Sequence, residues 1–263
     1  MRTIQQLFDL TGKVAIVTGG GTHIGKAMTE ALCEAGASVV IASRRGEMCR
    51  QVAEEIARKH PGRCVGTGCD AANEAQVNQL IEFACAQFGG VDILVNNAGG
   101  APIKTNLPNA SLDDFNRTIA INATATLLCS QAAARVMMKR GGGKIINVGS
   151  IYGVLGGIPA LYVGTDMIPA NIHYVAAKGA VVNMTRHLAT TFGPHNIQVN
   201  CISPGGIARN QPAPFVERYL QRTPAGRMGT EEDLKGVTVL LASSASDWIT
   251  GQNVMVDGGW TAW

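Results

Sequence analysis

The sequence predicts an α/β protein built on a single doubly wound, seven-stranded parallel sheet flanked by helices, and three observations carry that prediction. Short β-branched runs alternate with longer segments of helical period, the rhythm of successive βαβ units. The runs are apolar along their length instead of alternating, as suits strands covered on both faces. A glycine-rich turn separates the first run from the first helical segment.

The runs that read as strands are residues 13–18, 38–42, 64–66, 91–95, 144–148, 198–202 and 253–256. Helical periodicity is clearest over 24–35, 47–59, 74–88, 118–139, 174–192 and 231–243, several of which stop at Gly or Pro. With no internal repeat and no interdomain linker, residues 1–263 read as one domain. Two segments break the rhythm: 151–172, rich in Gly and Pro, and 205–224, a polar stretch preceded by Pro204 and punctuated by Pro212, Pro214 and Pro224. Both follow strands, at the carboxyl edge where open α/β sheets take up ligands, and both read as loops walling a substrate site.

Composition narrows the function classes. A chain of 263 residues, 46% hydrophobic and 16% charged, buries a sizeable core. Its formal net charge of +3 is small, and Lys and Arg are dispersed, which argues against nucleic-acid or anionic-membrane partners. The seven Cys form no C-x-x-C pair and share no metal-ligand spacing with the five His, so no metal site is expected. Scattered thiols, no apolar leader and no run of membrane-span length lead to the expectation of a cytoplasmic protein.

The turn after the first strand is Thr18-Gly19-Gly20-Gly21-Thr22-His23-Ile24-Gly25. Strand, Gly-rich turn and helix N-terminus in that order aim backbone N–H groups and the positive helix end at a pyrophosphate. His23 is given no catalytic role and stands where its side chain crowds the phosphates unless it points away. Roughly 20 residues further on, a dinucleotide fold carries an acid for ribose hydroxyls or a base for a 2′-phosphate. Here the second strand ends Ala42-Ser43-Arg44-Arg45, with no carboxylate. Arg44, assisted by Arg45, suits a bidentate contact with a phosphate, which favours NADP(H) and leaves NAD(H) possible.

A second constellation concerns proton transfer. Oxidising an alcohol needs a base for the hydroxyl proton, and the reverse reaction needs an acid; one phenol beside a cation can be both. In Tyr174-Val-Ala-Ala-Lys178 the i, i+4 spacing on a helix places an ammonium near a phenol. The preceding strand ends Asn147-Val-Gly-Ser150, offering a hydroxyl to a carbonyl or alkoxide oxygen. Asn122 sits polar among apolar neighbours in the 118–139 helix, either functional or a buried, satisfied amide in a kinked helix. Tyr162 lies closer to Ser150, but Asp166 four places on opposes phenolate formation, so Tyr174 is the candidate acid/base.

Taken together, these motifs resemble the short-chain dehydrogenase/reductase family along nearly the whole chain, most closely its sugar and polyol dehydrogenases, the gluconate 5-dehydrogenases among them, and its 3-oxoacyl reductases. Thr18, Gly19 and Gly25 match the family's glycine motif, with His23 where it has its middle Gly. Asp70 and Ala71 after the third strand match its adenine-contacting Asp, and Asn96-Asn97-Ala98-Gly99 its Asn-Asn-Ala-Gly turn. The resemblance implies catalytic roles for Asn122, Ser150, Tyr174 and Lys178. It implies nicotinamide contacts from Pro204-Gly205-Gly206-Ile207, with Ala208-Arg209-Asn210 in place of the usual Thr beyond them. The long interval from Ser150 to Tyr174 departs from the family and reads as an insertion. The segment running to Gly259 resembles one that packs in family tetramers, which implies a homotetramer.

The expectation is thus an NADP(H)-preferring oxidoreductase interconverting a carbonyl and a secondary alcohol of a small molecule. Tyr152, Tyr162, Asp166, His173, Asn210 and Gln211 are candidate pocket residues, and their polarity favours a sugar, polyol or sugar acid, since each substrate hydroxyl needs a partner. Alternatives are a 3-oxoacyl-type reductase and a non-catalytic dinucleotide sensor or scaffold; an epimerase or dehydratase would want a further substrate domain.

Overall fold

The computed structural model describes residues 1–60, 62–101, 107, 109–169 and 171–263, so Ala170 of the 151–172 segment lies outside the described residues. Among these, seven strands form one sheet: β1 (Val14–Thr18), β2 (Ser38–Ser43), β3 (Cys64–Gly68), β4 (Ile93–Asn96), β5 (Gly143–Val148), β6 (Ile197–Pro204) and β7 (Asn253–Val256). Every pairing is parallel, in the order β3-β2-β1-β4-β5-β6-β7. The connections out of β1 and β3 diverge to opposite sides of the β1–β4 pair, leaving a crevice beyond its carboxyl ends.

Because side chains alternate across a strand, the apolar runs feed two cores. Ala15, Val17, Val39, Ile41 and Val95 face α2 (His23–Glu34), α3 (Gly46–Ala57) and α9 (Lys235–Ala242). Ile16, Val40, Leu94, Ile145 and Val199 face α4 (Glu74–Phe88), α6 (Ala125–Arg140) and α7 (Ile172–Phe192). Helix ends follow local chemistry: Asn73 caps α4 by accepting from the Gln76 N–H, and Gly89 closes it in the left-handed region at φ +87.

Three elements differ from expectation. The 118–139 helix is two helices, α5 (Leu112–Ile119) and α6, joined by a π-helical turn over Ala120–Thr124. The 205–224 segment is not all loop, since it contains α8 (Ala213–Leu220); Pro212 and Pro214 sit at its start, where a missing N–H costs no helical bond. A short N-terminal helix, α1 (Ile4–Phe8), rests on a capping box between Thr3 and Gln6.

Among the described residues no helix is long and apolar enough to cross a membrane, and no cluster of His, Cys, Asp or Glu is arranged to hold a metal ion. All seven cysteines are free thiols, and only Cys85 is not buried.

Candidate active site

The carboxyl ends of β1 and β4 are locked together by side chains. Thr18 Oγ1 accepts from the N–H groups of Asn97 and Ala98 at 3.1 and 3.0 Å and donates to the Val95 carbonyl. Asn97 Nδ2 donates to the carbonyls of Thr18 and Gly19 at 3.0 and 3.1 Å. These groups are spent on holding two turns in register, so the Thr18 and Asn97 side chains shape the crevice and leave less for a ligand.

From Gly19, at φ +65, the chain turns into α2. A β-carbon on Gly25 would stand 2.2 Å from the Gly19 carbonyl oxygen, so only glycine lets the helix start press against the turn. His23, at φ +49, is the residue that takes on left-handed backbone, and its side chain lies exposed, away from the turn's interior.

A cavity of about 710 Å³ opens over this crevice. Its end at the glycine turn is lined by Thr18, Gly19, Thr22, His23, Ile24 and Gly25. Ser43, Arg44 and Arg45 at the β2 tip line one flank, with Asp70 and Ala71 beside them; Asn97, Ala98 and Gly99 form the floor after β4. Ser150, Tyr174 and Lys178 line the end after β5, and Pro204, Gly205 and Arg209 after β6 complete the lining. Residues that sequence reasoning did not single out also reach the wall, including Met48, Ile121 and Val148; all are apolar neighbours of the motifs, indistinguishable in sequence from core.

The groups expected to move protons come together there. Lys178, buried in α7, donates from Nζ to the Val148 carbonyl at 2.8 Å and sits 5.6 Å from the centroid of the Tyr174 ring. Asn171 caps α7 by accepting from the Tyr174 N–H at 3.0 Å, which fixes the helix start at this tyrosine. Ser150 Oγ accepts from the Tyr152 N–H, leaving its own proton to donate.

Three expected site residues do not line the cavity. Gly21 turns into the protein, where a β-carbon would meet the Met48 side chain at 2.6 Å; its small size serves packing against α3. Ile207 is buried by a parallel bridge to Gly229, and its carbonyl accepts from Gln211 Nε2. Asn122, 1% exposed, occupies the π-helical turn. Its Nδ2 donates to the Thr118 and Gly100 carbonyls at 2.9 and 3.0 Å, and its Oδ1 accepts from the Gly100 N–H. Its side chain is therefore fully engaged in bracing the Gly99–Gly100 turn, which does line the cavity.

The expected polar wall takes a different form. None of Tyr152, Tyr162, Asp166, His173, Asn210 and Gln211 lines this cavity. The hydroxyls of Tyr152 and Tyr162 bond to each other at 2.9 Å, and burial beside other phenols keeps Tyr152 neutral by raising its pKa. Gln211 spends its amide on Ile207 and Arg209. His173, buried in the first turn of α7, packs edge-on to Phe115 of α5, while Asp166 and Asn210 are exposed. Instead, Leu161 and Tyr162 join Phe215, Tyr219 and Trp260 in an apolar cluster, with the Tyr219 and Trp260 rings stacked at 4.2 Å. The Tyr152 ring meets Tyr174 at 6.4 Å, carrying this aromatic cluster to the edge of the cavity end lined by Ser150, Tyr174 and Lys178.

A seven-stranded parallel sheet with a glycine cradle at its switch point and a Ser, Tyr and Lys trio at the same crevice defines a class of dinucleotide-type α/β oxidoreductases. Known proteins agree. The family model described as enoyl-(acyl carrier protein) reductase matches residues 21–261. The 2-dehydro-3-deoxy-D-gluconate 5-dehydrogenase of Dickeya dadantii is 37% identical, over 98% of this chain and 99% of its own. The 3alpha-hydroxysteroid dehydrogenase of Mediterraneibacter gnavus is 35% identical, over 95% and 97%. The crystal structure of a gluconate 5-dehydrogenase from Burkholderia cenocepacia, in complex with NADP and tartrate, superposes with a TM-score of 0.89 at 34% identity, covering 99% of this chain and 100% of that one. The chain belongs to the short-chain dehydrogenase/reductase family and is an oxidoreductase acting on hydroxyl or carbonyl groups, of a type that works with NAD(P).

Proposed function

We propose that this protein interconverts a carbonyl and a secondary alcohol on a polar, hydroxylated small molecule, using NADP(H) in preference to NAD(H), with Tyr174 as acid and base. The observation that carries this reading is that Ser150, Tyr174 and Lys178 line one end of the cavity whose other flank carries Arg44 and Arg45. The cavity suits a dinucleotide: the Gly19 and Gly25 turn admits no β-carbon, and Thr22, His23 and Ile24 at the start of α2 present backbone to a diphosphate. Arg44 and Arg45 would take a 2′-phosphate, and Asp70 and Ala71 the adenine side. When bound, the nicotinamide dinucleotide supplies or accepts the hydride.

The protein's own part is proton handling and orientation. Ser150 holds the substrate oxygen through the proton its hydroxyl has free. Tyr174 gives its phenolic proton to that oxygen in reduction and takes it back in oxidation. Lys178, held by the Val148 carbonyl, stands with its ammonium 5.6 Å from the centroid of the Tyr174 ring, in position to orient the phenol and the substrate beside it. The sugar, polyol or sugar-acid class is supported by the gluconate-type relatives. The steroid dehydrogenase relative and the aromatic cluster beside Tyr174 make a ring-shaped alcohol the second reading. The whole chain acting as one domain and assembling as a homotetramer complete the proposal.

The test combines turnover with direct binding. NADPH and NADH are compared as reductants over sugar-acid, polyol, 3-oxoacyl and steroid carbonyls, and Tyr174→Phe is assayed in parallel. The proposal expects faster turnover with NADPH on a polar substrate, and loss of turnover in Tyr174→Phe with NADPH binding intact. Faster use of NADH, or full activity in Tyr174→Phe, refutes it.

A further inference from the structure

The turn that leaves β6 is held by backbone on two sides and by one side chain on the third. The Gly205 N–H donates to the Val256 carbonyl of β7 at 2.9 Å, and the Gly206 carbonyl accepts from the Gly229 N–H at 3.0 Å. The Gly206 N–H donates instead to the phenolic oxygen of Tyr219, in α8, at 2.6 Å. An approach this close needs glycine, since a β-carbon on Gly206 would stand 2.7 Å from Tyr219 Cζ. The ring has little room to give way, because it is buried, with Trp260 stacked on it at 4.2 Å and Phe215 5.8 Å away between centroids.

What the turn borders gives that bond its weight. Val148 of β5 is paired with Ile202 of β6, and the Gly149 N–H donates to the Ile202 carbonyl at 2.8 Å. Ser150 and Pro204, each two residues further on, therefore stand at the same level at the carboxyl edge, and both line the cavity together with Gly205. Aromatic contacts lead from the same Tyr219 round to Tyr174. Phe215 meets Tyr162 at 5.2 Å, the Tyr162 and Tyr152 hydroxyls bond at 2.9 Å, and the Tyr152 ring meets Tyr174 at 6.4 Å. One continuous support thus reaches Tyr174 at one end and the wall beside Ser150 at the other.

We propose that Tyr219 is a positioning residue for the carbonyl–alcohol reaction: its hydroxyl sets the 204–206 turn at the height of Ser150, so that the substrate oxygen is presented to Ser150 and Tyr174 together. This rests on Ser150 and Tyr174 being the groups that meet that oxygen. Tyr219 itself does not line the cavity and acts only through the turn. Without the hydroxyl, a backbone N–H in a partly buried turn loses its acceptor, and the turn shifts toward water or another partner. A shift of a fraction of an ångström at this wall misaligns the reacting groups more than it weakens binding, so the loss falls on kcat. The ring of Tyr219 serves the aromatic cluster and its oxygen serves the turn, so the two duties can be removed separately.

Tyr219→Phe keeps the ring and its stack on Trp260 and deletes only the oxygen. Thr223→Val is the comparison, since Thr223 Oγ1 donates to the Tyr219 carbonyl at 2.9 Å and so steadies the end of α8. Steady-state kinetics with the better dinucleotide and the best carbonyl of the panel, thermal melts, and hydrogen exchange of the peptide covering 204–208 are measured for both variants and the wild type. Tyr219→Phe is expected to lower kcat roughly tenfold, with KM within about twofold of the wild type, and to speed exchange at Gly206. Thr223→Val is expected to lower the melting temperature while kcat and exchange at Gly206 stay as in the wild type. Wild-type kcat or unchanged Gly206 exchange in Tyr219→Phe, or a kcat loss that Thr223→Val reproduces, overturns the assignment. A wild type that turns over no carbonyl brings down the functional reading and the role of Tyr219 with it, whereas failure of the Tyr219→Phe expectation alone leaves that reading standing.

Discussion

Asn97 and Gly25 compete for one small volume: a β-carbon on Gly25 would lie 2.5 Å from Asn97 Nδ2. Gly25→Ala is therefore expected to destabilise the fold by roughly 1–3 kcal/mol through overpacking and to weaken dinucleotide binding. Removing the amide as well should not rescue it, because the Gly19 carbonyl oxygen, at 2.2 Å from the same β-carbon, remains. Urea unfolding of Gly25→Ala and of Gly25→Ala/Asn97→Ala checks this; recovery in the double variant contradicts it.

Asn122 braces the Gly99–Gly100 turn from within the π-helical turn. Asn122→Ala leaves the Gly100 N–H and the Thr118 carbonyl without their partner, at a cost of about 1–3 kcal/mol. Turnover should fall along with stability, since the braced turn forms part of the cavity floor. A variant as stable and active as the wild type in thermal melts and steady-state assays would show that the brace is dispensable.

Thiol chemistry should single out one cysteine. Burial pushes the Cys69 thiol up to about 11 and the Cys129 thiol up to about 12. At pH 8 the thiolate fraction of a group at 11 is about one in a thousand, and burial further limits access. A disulfide reagent at pH 8 is expected to label Cys85 first in the native protein and all seven thiols once urea is added. Peptide mapping that finds Cys69 or Cys129 labelled ahead of Cys85 counts against this.

Acid should weaken the segment that carries Asp233. The Arg227 guanidinium, with two contacts of 2.7 Å, and the Thr230 N–H hold the Asp233 carboxyl well below its ordinary value of 3.8. A depressed folded pKa contributes stability that is full above the unfolded value and is lost as pH falls through the folded one. The wild-type urea midpoint should therefore drop more steeply than that of Asp233→Asn as pH is lowered from 5 towards 2, with no difference in slope between pH 6 and 8. Parallel curves across the acid range would dismiss the contribution.

Much of the fold was legible because period and punctuation coincide. The helix over 74–88 has its bounds written by Asn73 and Gly89, and the last strand, 253–256, by the turns around it. Legibility failed where one residue type serves two states. Pro212 and Pro214 mark a loop equally well as the first turn of α8. The π-helical turn at Asn122 preserves the apolar spacing of a plain helix, so only the polar residue hinted at it. That Arg44, Tyr174 and Lys178 would line one cavity was legible because each stands at a strand end or helix start marked by the pattern. The polar wall was misplaced because a tyrosine or glutamine in sequence does not reveal that its hydrogen bonds are already taken inside the protein, as with Tyr152 and Tyr162.

The ring stack of Tyr219 on Trp260, continued through Phe215 to Tyr162, means that the segment between β5 and α7 is not an independently exchangeable module. Grafting a relative's version of that segment alone would strand aromatic surfaces belonging to two other stretches of chain. Natural or engineered changes of substrate range in this lineage are thus expected to arrive as three-part replacements, with that segment, α8 and carboxyl-terminal turn inherited together.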